Sequence, residues 1–417
     1  MFDMKRVKND YVPCVYKWSW STIHLQTNST NSCHRIQNES IPKKFSQFHN
    51  TPKKLNDRRK MLAGIWPGRG CEYCRDIEAA GGISDRQDQL DQPYYPRMIP
   101  KENLSDPKQI AVTPKMVEVY FSNLCNMACV YCDPKFSHKW YHEVKNNPKD
   151  PSLDDHRRQV THIDNAKVDL PAVTNKFFKW LNTHYKDLHN LRILGGEPFF
   201  QPETDRMLDY IETQHNPNIT ITIFSNLKVS FQRFKKYIDR LSQLHQQNRI
   251  GSVHVVCSID CWGPEAEYVR WGLNCEDWRR NFQYLVTSDV NIQLHGTMNS
   301  LSIHTMPDLI ALRNRFRDQY SRPIHYDNNI LRNPSVLYPG HWPKGTFTEA
   351  FDRACELLDD RDRKIMRGYQ SQIEQAPNDP DIAHKLASWL DLADKRRGTD
   401  WRSVFKWLSH SMSSPTQ

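Results

Sequence analysis

No stretch of the 417 residues approaches the roughly 18 consecutive apolar side chains that a membrane span needs, so a transmembrane protein is not expected. Apolar residues of all kinds make up only 38% of the chain, and the mean hydropathy is −0.76. Long polar connections are the expected consequence. The opening run MFDMKRVKNDYVPC lacks the apolar core of a secretory signal, which makes a cytoplasmic location the expectation. No internal repeat is evident. None of the 18 histidines falls in an HExxH or comparable zinc spacing. The length suits two or three domains with a sizeable core.

Cysteine, by contrast, is plentiful. Its 11 copies stand at 14, 33, 71, 74, 125, 129, 132, 257, 261, 275 and 355. An odd count with two tight clusters fits poorly with a disulfide framework and better with reduced, metal-binding thiols. The net charge of +9 is uneven. Between Arg35 and Lys60 eight Lys or Arg stand against Glu39 and Asp57. Such a segment can attract nucleic acid, but no aromatic residues are interleaved at stacking spacing, so a solvated face and loop is the expected reading.

Residues 1 to about 110 are polar and irregular. From about 116 the texture changes. Met116–Phe121, Leu191–Leu194, Ile219–Phe224, Gly251–Ile259, Val290–Met298 and Pro323–Ile330 read as strands rich in β-branched and aromatic residues. Helical patterns lie between them at Thr174–Leu188 (Thr174 as N-cap), Pro202–Gln214, Phe231–Gln246 and His304–Tyr320. Alternating strands and helices predict an α/β fold with a parallel sheet. Six strands predict a partial (β/α)6 TIM-like barrel, whose chemistry belongs at the C-terminal strand ends. Residues 345–417 carry helical patterns only, at Phe351–Leu358 and Asp381–Lys395. Three regions are expected: an irregular cysteine-containing segment 1–112, a core domain 113–332, and a helical extension 333–417.

Directly after the first strand comes Ser-Asn-Leu-Cys125-Asn-Met-Ala-Cys129-Val-Tyr131-Cys132. Three thiolates on one short loop can hold three irons of a cubane cluster, which normally takes four cysteines. The fourth iron then keeps an open site. Zinc sites usually close with four ligands in two pairs, which this triplet does not offer.

The C-x3-C-x2-C triplet, with Tyr131 before its last cysteine, resembles the signature of the radical S-adenosylmethionine (radical SAM) superfamily. The resemblance implies a [4Fe–4S] cluster on Cys125, Cys129 and Cys132 as the catalytic centre. It implies S-adenosyl-L-methionine chelating the open iron and a 5′-deoxyadenosyl radical that takes hydrogen from substrate, with an electron donor such as flavodoxin or ferredoxin. Gly195-Gly196-Glu197-Pro198, after the second strand, resembles the family's GGE motif. The glycines would let the backbone approach the methionyl group, and Glu197 would accept from its ammonium. Ser225 and Asn226, then Ser258 and Asp260, and less clearly Thr297 and Asn299, end later strands with groups suited to ribose and carboxylate. Tyr131 would pack near adenine.

Cys14, Cys33 and the pair Cys71-x2-Cys74 form a second set. By spacing alone they suit a zinc knuckle or a four-thiolate cluster equally. The run Met61-Leu-Ala-Gly, Trp66-Pro, Cys71-x2-Cys74, Glu78, Gly81 or Gly82, Ser84 and Arg86 resembles the amino-terminal auxiliary-cluster region of SPASM/Twitch-related radical SAM proteins. That resemblance implies an auxiliary [4Fe–4S] cluster on Cys14, Cys33, Cys71 and Cys74. Where the family commonly has a Cys-Cys pair, this chain has Cys33-His34, so His34 stands as an alternative ligand. The segment Leu390–Trp401 resembles the end of such proteins. Cys257, Cys261, Cys275 and Cys355 are expected to be structural, with a lesser case for Cys261 at the active face. Trp262 and Trp271 are expected mainly in packing.

The resulting expectation is a radical SAM oxidoreductase or modifying enzyme acting on a peptide, a protein side chain or a small molecule. Nucleic-acid modification with the same radical is one alternative, and a non-catalytic iron–sulfur or zinc protein is another.

Overall fold

Each of the six expected strands forms, and the sheet they make does not stop at them. The computed structural model describes residues 13–68, 70–79, 83–88 and 110–413. Its strands are β1 (Trp20–His24), β2 (Ser29–Asn31), β3 (Glu39–Ser40), β4 (Met116–Tyr120), β5 (Asn190–Leu194), β6 (Asn216–Ser225), β7 (Ile250–Ser258), β8 (Asn291–Met298) and β9 (Ile324–Ile330). They form one nine-stranded sheet in the order β3-β2-β1-β4-β5-β6-β7-β8-β9. From β1 through β9 every neighbouring pair is parallel, while β2 and β3 add an antiparallel edge.

The irregular reading of the first 110 residues therefore needs correction. The boundary at 112/113 separates elements but not sheets, because β1 pairs with β4 from Trp20↔Met116 to His24↔Tyr120. WSTIH and STN are too short and too polar for a strand signal. The edge of β4 pairs WSTIH, and the far edge of that strand in turn pairs STN.

Strand alternation sets the two faces of the sheet. Val117, Val119, Leu191, Ile193, Ile221, Ile223, Val255 and Leu294 are buried in one core with the crossover helices. Those helices contribute Phe177, Leu181, Leu208, Phe234, Leu241, Phe282 and Leu309. The residues between, such as Glu118, Arg192, Thr222, His254 and His295, face the opposite way. A parallel sheet covered on both faces would read as unbroken apolar runs. The polar alternation here leaves that face lining a cavity, called the lumen below.

The crossover helices run Leu170–His184, Pro202–Glu212, Phe231–Gln246, Cys275–Val286 and Met306–Tyr320. The first starts four residues before its expected position. Asp169 accepts from Ala172 N at 3.0 Å and Pro171 fills the first turn, so Thr174 is an interior, buried residue rather than the cap. After β9, helices Thr348–Glu356, Asp360–Gln375 and Ile382–Arg397 build a second core around Leu337, Phe351, Leu386, Leu390 and Trp401. No described helix is long and apolar enough to cross a membrane.

Candidate active site

The loop that leaves β4 carries Cys125, Cys129 and Cys132, and its backbone is held from several sides. Ala128 N donates to Trp271 O at 3.0 Å and Val130 N to Val269 O at 2.8 Å. Cys125 N donates to His138 Nδ1 at 2.9 Å. Trp140 Nε1 donates to Cys129 O at 2.7 Å and Ser137 Oγ to Met127 O at 2.6 Å. The three thiols are reduced and lie within each other's electrostatic reach. Burial pushes Cys125 up to about 12 and raises Cys129 and Cys132 as well. A coordinated metal would take these thiols as thiolates. Cations stand ready for that charge: Lys139 acts on Cys125, and Arg270 and Arg397 act on Cys129.

The Gly195–Pro198 turn locks onto this loop. Glu197 N donates to Leu124 O at 2.9 Å. Gly196 sits at φ +52°, and a Cβ there would run into the Leu124 carbonyl, so glycine is required for the turn to meet the cysteine loop. The side-chain amide of Gln201 bridges Gly195 O and Leu124 O. The Glu197 carboxylate belongs to the same turn. It is fully buried and accepts from Ser225 Oγ at 2.7 Å, Phe199 N at 3.1 Å and Asn226 N at 2.6 Å. Burial lifts it to about 7 against those three bonds. These bonds order the end of β6.

The strand-end residues differ among themselves. Ser225 donates to Glu197 and accepts from Leu227 N, and Asn299 is spent on a local turn. Asp260 is buried and accepts from Tyr131 Oη at 2.7 Å, Thr297 N at 2.8 Å and both Nε and Nη2 of Arg270 at 3.0 and 2.8 Å. Tyr131 is thereby fixed by its hydroxyl. Asn226 points its amide at the loop, with Nδ2 3.8 Å from Cys125 Sγ. Ser258 is half-buried, and Thr297 turns its side chain to the lumen. Cys257 and Cys261 are fully buried, which disposes of an active-face role for Cys261.

Sequence reasoning missed a clamp from the far end of the chain. Arg396 Nε meets Glu143 at 2.9 Å and its Nη1 meets Asp150 at 2.6 Å. Arg397 meets Glu143 at 3.1 Å and lies over the rings of Trp140 and Trp271, at 4.6 and 5.0 Å. Trp140 and Trp271 are the residues that hold Cys129 O and Ala128 N. Trp271 thus supports the loop rather than the core. The signal in the sequence was Lys395-Arg396-Arg397, read only as part of a tail.

The second cysteine set also converges. Cys14, Cys71 and the half-buried Cys33 share a small core with Trp18, Ile36 and Met61, and Cys33 and Cys71 both feel Cys74. Arg35 N donates to Cys33 Sγ at 3.4 Å. The flanking motif is a packed unit: Ser84 Oγ and Arg86 Nη2 both bond Glu78 at 2.5 Å, and Arg86 lies 4.9 Å over Trp66. Gly81 and Gly82 lie outside the described residues. His34 turns away to Glu118, 3.3 Å from its Nε2. Among the described residues no group of three His, Cys, Asp or Glu side chains is arranged to hold a single metal ion.

The basic run from Arg35 to Lys60 proves to be partly interior. Lys54 is buried against Ser21, Thr30, Asn31 O and Phe48 O at 2.7–3.0 Å. Arg58 is buried against Lys17 O, Ile110 O and His49. The expected solvated face is therefore corrected, because two of its cations build the N-terminal core.

Between the N-terminal segment and the lumen face of the sheet lies a cavity of about 1590 Å³. Leu194, Phe224, Val256 and Thr297 bring it to the C-terminal edge of the sheet, from which the Gly195–Glu197 turn and Asp260 leave. Cys33 and His34 line its N-terminal side.

No protein-family model matches the chain, and no curated protein matches it. Among solved structures, Streptococcus suis SuiB is similar at 11% identity over 84% of this chain and 67% of SuiB, with a TM-score of 0.35. SuiB bound to S-adenosylmethionine gives 13% identity over 82% and 66%, with a TM-score of 0.35. TYW1 with a lysine-pyruvate adduct gives 12% identity over 59% and 73%, with a TM-score of 0.30. The chain spans about two thirds of SuiB. Likenesses this distant decide neither activity nor substrate.

Proposed function

We propose that this chain is a radical SAM enzyme with a partial (β/α)6 barrel, β4 to β9, flanked by an auxiliary-cluster segment (1–112) and a helical extension (333–417). The observation that carries the reading is the cysteine loop itself. Three reduced thiols leave the C-terminal end of a parallel strand, without a fourth, and are tied by backbone bonds to a glycine turn at the end of the next strand. That donor set fits a [4Fe–4S] cluster with one open iron. When bound, the cluster and S-adenosylmethionine supply a 5′-deoxyadenosyl radical that takes hydrogen from an unactivated carbon.

The chain's own residues supply position and exclusion. Cys125, Cys129 and Cys132 would hold the cluster. Asn226 directs an N–H toward Cys125 Sγ, a contact that tunes a bound thiolate. Arg270 and Arg397 offset the negative charge gathered at Cys129. Tyr131, pinned by Asp260, walls the loop. Ser258 and Thr297 keep polar groups available at the strand ends. Cys14, Cys33, Cys71 and Cys74 would hold the auxiliary cluster, next to the buried Lys17–Asp57 pair at 2.8 Å. The cavity exceeds the roughly 300–1,000 Å³ usual for a small-molecule site, which supports a peptide or protein side chain as substrate. A flavodoxin- or ferredoxin-type donor and a cytoplasmic setting complete the proposal. The interior positions of Lys54 and Arg58 weaken the nucleic-acid alternative.

Anaerobic reconstitution tests it. Two clusters require about eight irons per chain. Four irons with one zinc would remove the auxiliary cluster, and a protein that forms no 5′-deoxyadenosine from S-adenosylmethionine would be the non-catalytic alternative. Cys125→Ala is expected to abolish 5′-deoxyadenosine; normal formation in that variant would refute the proposal.

A further inference from the structure

Arg192 stands in the middle of β5 on the lumen side, between Glu118 of β4 and Thr222 of β6 in register. Its guanidinium carries five N–H donors in a planar fork, yet it makes no hydrogen bond to a described residue. Its nearest acid is Glu118, at 3.9 Å, and its Nε is buried without a partner. Glu118 is more closely engaged elsewhere, with His34 at 3.3 Å and Thr22 at 3.4 Å. The guanidinium lies 5.5 Å from the Trp20 ring, and its side chain keeps 26% of its exposure, directed into the cavity. Two residues earlier on the same face, Asn190 accepts from Thr222 through Oδ1, which leaves its NH2 group for a ligand.

A buried N–H without an acceptor, such as the Nε–H here, is costly unless something else satisfies it. Arg58 and Arg270 use their donors inside the protein, whereas Arg192 presents its fork to the cavity with no acceptor in hydrogen-bond reach. We infer that Arg192, with Asn190, is the subsite that takes a carboxylate of the substrate peptide. A carboxylate matches the guanidinium fork with two parallel N–H···O bonds, and the Trp20 ring closes one side. The carboxylate is that of an Asp or Glu side chain or of a peptide C-terminus. The inference rests on reading the cavity as the substrate chamber.

The experiment is anaerobic fluorescence anisotropy on the reconstituted holoprotein with S-adenosylmethionine. The probes are fluorescein-labelled Gly/Ser decapeptides carrying one central Glu or Gln, each with a free or an amidated C-terminus. The Glu or free-acid probe is expected to bind at least tenfold tighter than its neutral counterpart, and the probe that does so identifies the source of the carboxylate. Arg192→Met should erase that preference. Arg192→Lys should retain part of it, because lysine keeps the charge without the fork. Melting curves of both variants certify the fold. Equal binding of acidic and neutral probes, an undiminished preference in Arg192→Met, or no binding of any probe at millimolar concentration overturns the subsite. 5′-Deoxyadenosine formation by the wild-type holoprotein is measured alongside; its absence overturns the radical reading instead.

Discussion

Replacing Arg396 by methionine removes one hand of the clamp that joins the C-terminal helix to the segment behind the cysteine loop. The side chain is 4% exposed and bonds Glu143 at 2.9 Å, Asp150 at 2.6 Å and Ser152 at 3.0 Å. Both acids are themselves largely buried. Partial burial works against the Asp150 charge, but its bonds from Ser152 and Arg396 hold it below the usual carboxylate range. Removing one partner of a buried pair costs about 3–5 kcal/mol, because the other charge stays behind. The lower end applies here, since Glu143 keeps Arg397. At about 2.1 cal/mol/K of unfolding entropy per residue, about 3 kcal/mol is a fall of about 3–4 °C in Tm for a chain of 417 residues. Calorimetry on anaerobic protein measures it. A double-mutant cycle with Glu143→Gln should return a coupling above about 1 kcal/mol. The loosened Trp140–Cys129 contact should also lower iron retention at the radical cluster. A Tm within 1 °C of wild type, or strictly additive single and double variants, would refute the clamp.

Gly196→Ala places a Cβ against the Leu124 carbonyl at φ +52°; it should cost about 1–3 kcal/mol and halve the iron bound, read by metal analysis and melting. Asp260→Asn leaves Arg270 buried without its counter-charge; about 3–5 kcal/mol should be lost, together with a changed electron-paramagnetic signal from the reduced cluster, because Arg270 adjoins Cys129. His24 is held down to about 4 by burial, with Lys135 adding to the effect. Its unfolded form gains a proton below about pH 6.5 while the folded form resists until about 4, so stability should fall across that window by roughly 3 kcal/mol. His24→Gln should flatten that part of the urea midpoint-versus-pH curve, and an unchanged slope would exclude His24 as its source.

Richness in β-branched and aromatic residues, as in ITITIF, was enough to find the parallel strands, while the cavity lined by their polar positions was not foreseen. β1 to β3 were invisible, because WSTIH is held by the edge of β4 and STN by β1 and β3, rather than by patterns of their own. The start of the helix Leu170–His184 was legible in Asp169 and Pro171 but was passed over for Thr174. Glu197 was legible as a residue of the glycine turn, but its internal partners were not. Its surroundings come from β6, 28 positions further on.

Spacing along the chain determined what connectivity alone can bring together: three thiols on one loop, a glycine turn after a strand, a C-x2-C pair. Only tertiary packing could join Arg396 to Glu143 across 253 positions, or gather Cys14, Cys33 and Cys71 around Trp18. It also decided that Lys54 and Arg58 are interior while Arg192 is left facing a cavity. The reason is physical. A local motif is set by bond lengths and turn geometry, whereas whether a charge is paired, buried or free depends on which distant surface folds over it.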